Sequence, residues 1–224
     1  MNDEEIVSGF SATTTSTVAD ALLKLDLFRH SPGIYPLGAA SKVVGRAFTI
    51  LYRSRSVTNP GSVGDYVDDV PPGRVIVLDN RDRTDCTVWG DILTVVASGR
   101  GIAGTVIGGV CRDTERAASL GYPLFARGHT FRTGKGRVEV GAVNEPVSLG
   151  DAHVAPGDLI VGDVDGVCVV PWERVEAVLD VALAIQASEK EIERLVAEGV
   201  TLKAAREETG YFSLQDPRGT EGAR

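Results

Sequence analysis

Between residues 74 and 121 the chain alternates short apolar runs with amphipathic segments, and this order leaves few folds open. Residues 74–79 (RVIVLD) read as a buried strand, and residues 91–98 carry Ile92, Val95 and Val96 at helical spacing. Residues 104–108 (GTVIG) read as a second buried strand, and residues 114–120 as a second helix closed by Gly121. Strands and helices in this alternation make parallel strands with crossover helices, so the chain is of the α/β class. Upstream, Val18, Ala21, Leu22 and Leu25 repeat at i, i+3, i+4 and i+7, which predicts a helix capped by Ser16 or Thr17 and ending near Leu27. Residues 43–52 (VVGRAFTILY) read as a strand, and residues 61–70 as a short helix before Pro71-Pro72-Gly73.

Beyond Pro123 the pattern changes to short strands only, at 124–127, 137–143, 146–149, 158–163 and 167–170, which predicts a second β layer. The run Gly162-Asp163-Val164-Asp165-Gly166 reads as a hairpin turn rather than a calcium loop. Residues 172–198 form a long helix with Val175, Val178, Leu179, Ala182 and Ile185 on one face and Gly199 as its stop. A chain of 224 residues suits one core, so residues 1–212 are expected to form a single domain with a helical arm, and residues 213–224 a disordered polar tail.

The formal charge of −8 disfavours a grip on nucleic-acid phosphates. Cys86, Cys111 and Cys168 form no C-x-x-C pair, so neither a disulfide framework nor a cysteine zinc site is expected. The acidic start MNDEEIVSGF is unlike a secretory leader and no apolar run is long enough to cross a bilayer, so a cytoplasmic protein without membrane association is expected.

Chemistry concentrates in residues 89–121. Gly90, Asp91, Ile92 and Leu93 open a helix whose unpaired N–H groups can receive a carboxylate or phosphate. Arg112 and Asp113 follow the strand GTVIG, and loops at the carboxyl ends of neighbouring parallel strands share one crevice. Arg112 offers a planar fork for an oxyanion, and Asp113 a hard oxygen ligand for Mg²⁺ or Mn²⁺. Against this stand plainer roles: Asp91 as a helix cap, Arg112-Asp113 as a surface ion pair, and Gly108-Gly109 as a tight turn. His30, His129 and His153 are too scattered for zinc, and Cys111 reads as a small buried residue at a strand end.

At these residues the sequence resembles the RraA-like family, which contains class II 4-hydroxy-4-methyl-2-oxoglutarate aldolases and the regulator of ribonuclease activity A. The resemblance rests on Asp91, twenty intervening residues, then Arg112-Asp113, supported by STVADAL, RGIAGTVIGGVCRD, YPLFARG and the Asp-x-Asp-Gly pattern between Pro156 and Pro171. One departure is Gly108, where many members carry Asp. The resemblance implies a β/β/α swivelling-type layered domain, assembled as a homotrimer or homohexamer with sites at subunit boundaries. It implies that Asp113 binds the divalent metal, that Arg112 contacts the pyruvyl oxygen, that the amides of Gly90 to Leu93 hold the substrate carboxylate, and that Asp91 positions a water. A glutamate from a neighbouring subunit's long helix would complete the site, with Glu189, Glu191 and Glu193 as candidates and Glu189 placed first.

The implied reaction is metal-dependent cleavage of a 4-hydroxy-2-oxo dicarboxylic acid to pyruvate, with oxaloacetate decarboxylation passing through the same enolate. No lysine lies between Lys42 and Lys135, which disfavours a Schiff base at the motif. The alternative of another class is a regulatory protein that binds and inhibits a ribonuclease or helicase. A methyltransferase is set aside, since no G-x-G-x-G loop follows an early strand.

Overall fold

The structure, a computed structural model, describes residues 1–28 and 31–211; His30 and the tail from residue 213 lie outside them. In chain order the elements are α1 (Asp3–Ser11), α2 (Thr15–Lys24), β1 (Tyr35–Pro36), β2 (Val43–Ser54), a 3-10 turn (Asp65–Asp69), β3 (Val75–Thr87), α3 (Asp91–Gly99), β4 (Gly104–Cys111) and α4 (Thr114–Leu120). There follow β5 (Leu124–His129), β6 (Val138–Val143), β7 (Val147–Leu149), β8 (Ala152–Val154), β9 (Leu159–Asp163), β10 (Gly166–Val170), a 3-10 turn (Trp172–Arg174), α5 (Val175–Ala197) and α6 (Leu202–Thr209). Two compact units divide the chain, Met1–Phe28 with the segment from Glu173, and the segment ending at Trp172.

In the second unit the sheet runs β1-β5-β4-β3-β2-β9-β10. Strands β2, β3, β4 and β5 are mutually parallel, as the alternating helices require. β2 is long enough to take β9 and β6 in turn, both antiparallel, beside its pairing with β3. Successive side chains of the central strands serve two cores, because a strand sends neighbours to opposite faces. Ile76, Leu78, Ile107 and Leu124 pack with Ala97 of α3 and Ala117 of α4. Val75, Val77, Val106 and Phe125 pack with Val147, Leu149 and Val154 of the β7-β8 hairpin. The result is helix, sheet and hairpin in three layers; of the strands expected to form a second β layer, only 147–149 stands apart, paired with β8, while β5, β6, β9 and β10 join the main sheet through β4 and β2.

β3 runs on to Thr87, well past the expected end at Asp79, through two irregularities in its pairing with β4. Asp79 is buried there, accepting from the backbone N–H of Arg81 at 2.8 Å and of Ser148 at 3.1 Å. Gly108 and Gly109 lie inside β4 opposite this bulged region rather than in a turn, and a Cβ on Gly109 would fall 3.1 Å from the Arg83 carbonyl oxygen. The β9-β10 hairpin pairs Asp163 with Gly166, as the GDVDG reading predicts.

In the first unit α5 packs with α1, α2 and α6, burying Val175, Val178, Leu179, Ala182 and Ile185. α1, which the sequence analysis does not predict, is fixed by a capping box in which Asn2 accepts from the Glu5 N–H and Glu5 accepts from the Asn2 N–H. α2 is capped by Thr14 instead of Ser16 or Thr17, slightly earlier than expected, and Gly9 lets α1 approach Leu179 of α5 closely. No helix among the described residues is long and apolar enough to cross a membrane.

Candidate functional site

The end of β3 and the end of β4 meet at one point, and the N-terminus of α3 sits there. Trp89 is buried and stacked on Tyr122 at 6.2 Å between ring centroids. Its indole N–H donates to Thr94 Oγ1 at 2.9 Å, and that hydroxyl donates to the Gly90 carbonyl at 2.9 Å, so the residue before the helix is held from both sides. The Arg112 N–H donates to the Trp89 carbonyl at 3.1 Å, which ties the two strand ends together.

Here Asp91, Arg112 and Asp113 come together, as the topology predicts. Arg112 Nε lies 3.0 Å from Asp113 Oδ2, and that same oxygen accepts from the Asp91 N–H at 3.3 Å. Asp91 Oδ1 accepts from the Ile92 N–H at 2.8 Å. The surface-pair role is therefore present in this structure; Asp91 is the first residue of α3 and Gly90 its N-cap, so Asp91 is not the helix cap, although its carboxylate bonds the adjacent N–H. Gly90 is required by the approach: a Cβ there would lie 2.8 Å from Asp113 Oδ2 and 3.2 Å from Arg112 Nε. Asp113 itself adopts the left-handed region, with φ 58° and ψ 38°.

Gly90, Asp91, Ile92, Leu93 and Arg112 line a cavity of about 580 Å³, a size suited to a small-molecule ligand. Asp113 lines an adjoining polar depression with Asp91. The sequence analysis does not single out Arg55, Ser62, Thr133 or Lys135, which share the cavity wall. A lysine between two glycines in RTGKG is the one local signal that could have drawn attention to Lys135. Lys135 bounds the lysine-free stretch and lines the cavity, with its side chain exposed to solvent.

Asp113 is the residue that could hold a hard, well-hydrated cation. Asp113 supplies one carboxylate, and no group of three or more His, Cys, Asp or Glu side chains gathers among the described residues. One carboxylate with waters and a chelating ligand suits Mg²⁺ or Mn²⁺, while a zinc site would need three or four protein ligands. His129 and His153 are exposed on β5 and β8. Cys111 is buried at the end of β4, and burial pushes its thiol up to about 12, which suits packing and not a nucleophile.

Glu189, Glu191 and Glu193 all lie on α5, in the first unit. Burial raises the Glu189 carboxyl, with Asp20 and Glu193 adding to the shift. Glu191 is held by Arg194 at 2.6 Å, while Glu193 is exposed.

Part of the cavity wall is the segment that follows β2, and a buried carboxylate fixes it. Glu139 accepts from the Gly61 N–H at 2.7 Å and from Arg53 Nε at 3.0 Å with its side chain fully buried. Tyr52 donates to the Val63 carbonyl at 2.5 Å beside it.

Residues 15–169 match the family described as RraA-like, Aldolase/RraA. DlpA of Legionella pneumophila is 38% identical over 88% of the chain, which spans only 32% of that protein. A protein of Halalkalibacterium halodurans named "Putative 4-hydroxy-4-methyl-2-oxoglutarate aldolase" is 35% identical over 88% of this chain and 90% of its own. A crystal structure of an uncharacterized protein from Pseudomonas syringae superposes with a TM-score of 0.84 at 37% identity, covering 91% of this chain and 97% of that one. Streptomyces coelicolor RraAS2, described as an unusual member of the RNase ES inhibitor RraA family, superposes with a TM-score of 0.77 at 28% identity over 84% and 96% of the two chains.

The Glu139 carboxyl is held below its ordinary value, first by the Gly61 N–H and further by the Ser56 N–H and Arg53. A lowered folded value means that its stabilising contribution is present above the unfolded value of about 4.3 and is lost as the pH falls through the folded one. Glu139→Gln is therefore expected to unfold at lower urea concentration than the parent at pH 7, with the difference narrowing below about pH 4. Equal midpoints for the two proteins at pH 7 would exclude this role.

Proposed function

The chain belongs to the RraA-like family and has its swivelling-type β/β/α fold with a long C-terminal helix, and on that premise we propose that it is a divalent-metal-dependent pyruvate aldolase. Its substrates would be 4-hydroxy-2-oxo dicarboxylic acids such as 4-hydroxy-4-methyl-2-oxoglutarate, with oxaloacetate decarboxylation as a second activity. The observation that carries this reading is the convergence of Arg112, Asp113 and the α3 N-terminus at one point, where the cavity lined by Arg112 and the α3 N-terminus adjoins the depression lined by Asp113.

The amides at Gly90 to Leu93 receive the substrate carboxylate, which takes over the Ile92 N–H from Asp91 Oδ1. Arg112 meets the 2-keto oxygen with its planar fork, so that its charge is placed where negative charge develops. Asp113 would hold Mg²⁺ or Mn²⁺, which supplies Lewis acidity at the same oxygen when bound. Cleavage breaks C3–C4 as the C4 hydroxyl gives up its proton. The electron pair passes into the pyruvate enolate, and the carbonyl fragment leaves. Asp91, freed from its own helix, orients the water that protonates C3. In a homotrimer or homohexamer, Glu189 of a neighbouring subunit would serve as the proton acceptor.

The family also contains inhibitors of ribonucleases, and the cavity with its Arg112-Asp113 pair favours the enzyme reading over that one. Pyruvate release from oxaloacetate is expected to stop in EDTA and to return with Mg²⁺ or Mn²⁺; full activity in chelator with metal content verified as nil would overturn the reading. Arg112→Lys is expected to lose on the order of a hundredfold or more in kcat, because a point charge does not replace the fork. Near-parental turnover in that variant would remove Arg112 from the mechanism. Co-refolding inactive Asp113→Ala with inactive Glu189→Ala is expected to recover part of the activity through mixed subunits. A fully active Glu189→Ala protein would remove this glutamate from the site.

A further inference from the structure

The cavity holds far more than a pyruvyl group, and part of its wall away from the α3 N-terminus is cationic. Lys135 sits on a turn between β5 and β6 that is fixed at several points. Thr133 bridges to Thr87, the Lys135 N–H donates to Thr133 Oγ1 at 3.2 Å, and a Cβ on Gly134 would collide with the Thr87 carbonyl oxygen. Arg137 Nη1 donates to the Thr133 carbonyl at 3.1 Å and the Lys135 carbonyl at 3.4 Å. The Arg137 carbonyl in turn accepts from the Arg55 N–H at 2.9 Å, so one residue ties the lysine turn to the end of β2.

Three cationic residues are thus gathered by backbone ties, and two of them, Arg55 and Lys135, line the cavity. Among the described residues neither enters an ion pair or a side-chain hydrogen bond. Of the acidic residues that line the cavity, Asp65 and Asp68 stand on the 3-10 turn that packs on α3, and Asp91 stands at the α3 N-terminus. Two cations that line one cavity and enter no ion pair among the described residues favour an anion bound there.

We propose that Lys135, with Arg55, receives the distal carboxylate of a 2-oxo dicarboxylic acid whose oxo-acid end lies at Gly90 to Leu93 and Arg112. The proposal rests on the oxo-acid reading above and adds the residues that select two carboxylates over one. Lys135 and Arg55 touch substrate without taking part in bond cleavage, so they govern affinity for the distal group and leave the enolate end unchanged.

Calorimetric titration of the full chain with Mg²⁺ present separates the two ends. Oxalate probes the oxo-acid end alone, and 2-oxoglutarate, which has no 4-hydroxyl to cleave, probes both. Lys135→Met is expected to weaken 2-oxoglutarate roughly ten- to hundredfold, the range of a lost charged hydrogen bond, while oxalate affinity stays within about twofold. Lys135→Arg is expected to restore most of the loss, an outcome that a Schiff-base lysine would not give. Arg55→Met supplies a second variant with the same selective loss, should Lys135→Met fail to fold. Equal 2-oxoglutarate affinity in the parent and both Met variants overturns the proposal while leaving the oxo-acid reading standing, as does a parallel loss of oxalate and 2-oxoglutarate. Failure of the parent protein to bind oxalate overturns the oxo-acid reading itself, and the proposal with it.

Discussion

The site depends on a contact made possible by a missing side chain. Crossover topology brings the ends of β3 and β4 side by side, and Gly90, which has no Cβ, leaves the space in which the Asp113 carboxylate reaches the α3 N-terminus. The backbone around that gap is stiff: Trp89, locked between Tyr122 and Thr94, fixes the strand end, and the Arg112 N–H bonds back to it. A helix N-terminus offers N–H donors and a partial positive charge that would attract any nearby oxyanion. The fold supplies two from its own chain, Asp113 at the Asp91 N–H and Asp91 at the Ile92 N–H. A ligand carboxylate would therefore bind by exchange, with the chain's carboxylates keeping the donors satisfied beforehand.

Much of this was legible in the sequence because it follows from apolar periodicity and topology. Strand β4 and helices α3 and α4 declare themselves by spacing, and the rule that adjacent parallel strands end at one crevice is enough to join Asp91 to Arg112 and Asp113. The extension of β3 was not legible. Its residues DNRDRTD are polar and carry turn-like character, and only an irregular pairing with Gly109 and Val110, distant in the chain, makes them strand. α1 was overlooked although Asn2-x-x-Glu5 is a capping signal and Ile6 and Phe10 are spaced for one buried face. Lys135 and Arg55 reach the cavity through Thr87 and Arg137, contacts across tens of residues that no local pattern encodes.

Glu139 shows the same logic at the cavity wall. A carboxylate with a fully buried side chain is costly unless backbone N–H groups and a cation compensate it, and here Gly61 and Arg53 do so. The cost of burial becomes rigidity for a segment that otherwise has little apolar material to hold it. Ser62 and Val63 in that segment reach the cavity, so the polar anchor and the shape of the wall are coupled.

Asp113 combines an unusual backbone conformation with a part-exposed charge. A non-glycine residue in the left-handed region costs on the order of 1 kcal/mol or more, and glycine would remove that cost. Asparagine tolerates the same backbone as readily as aspartate, and its amide oxygen could accept from the Asp91 N–H equally well. What neither glycine nor asparagine supplies is a full negative charge beside Arg112. That charge is only partly used by the ion pair, since both side chains stay more than a third exposed, at 37% and 39%, where such pairs contribute little to stability. Neither the backbone conformation nor the hydrogen bond requires the charge, and the proposed roles of Asp113 toward a cation and Arg112 toward an oxyanion would use it.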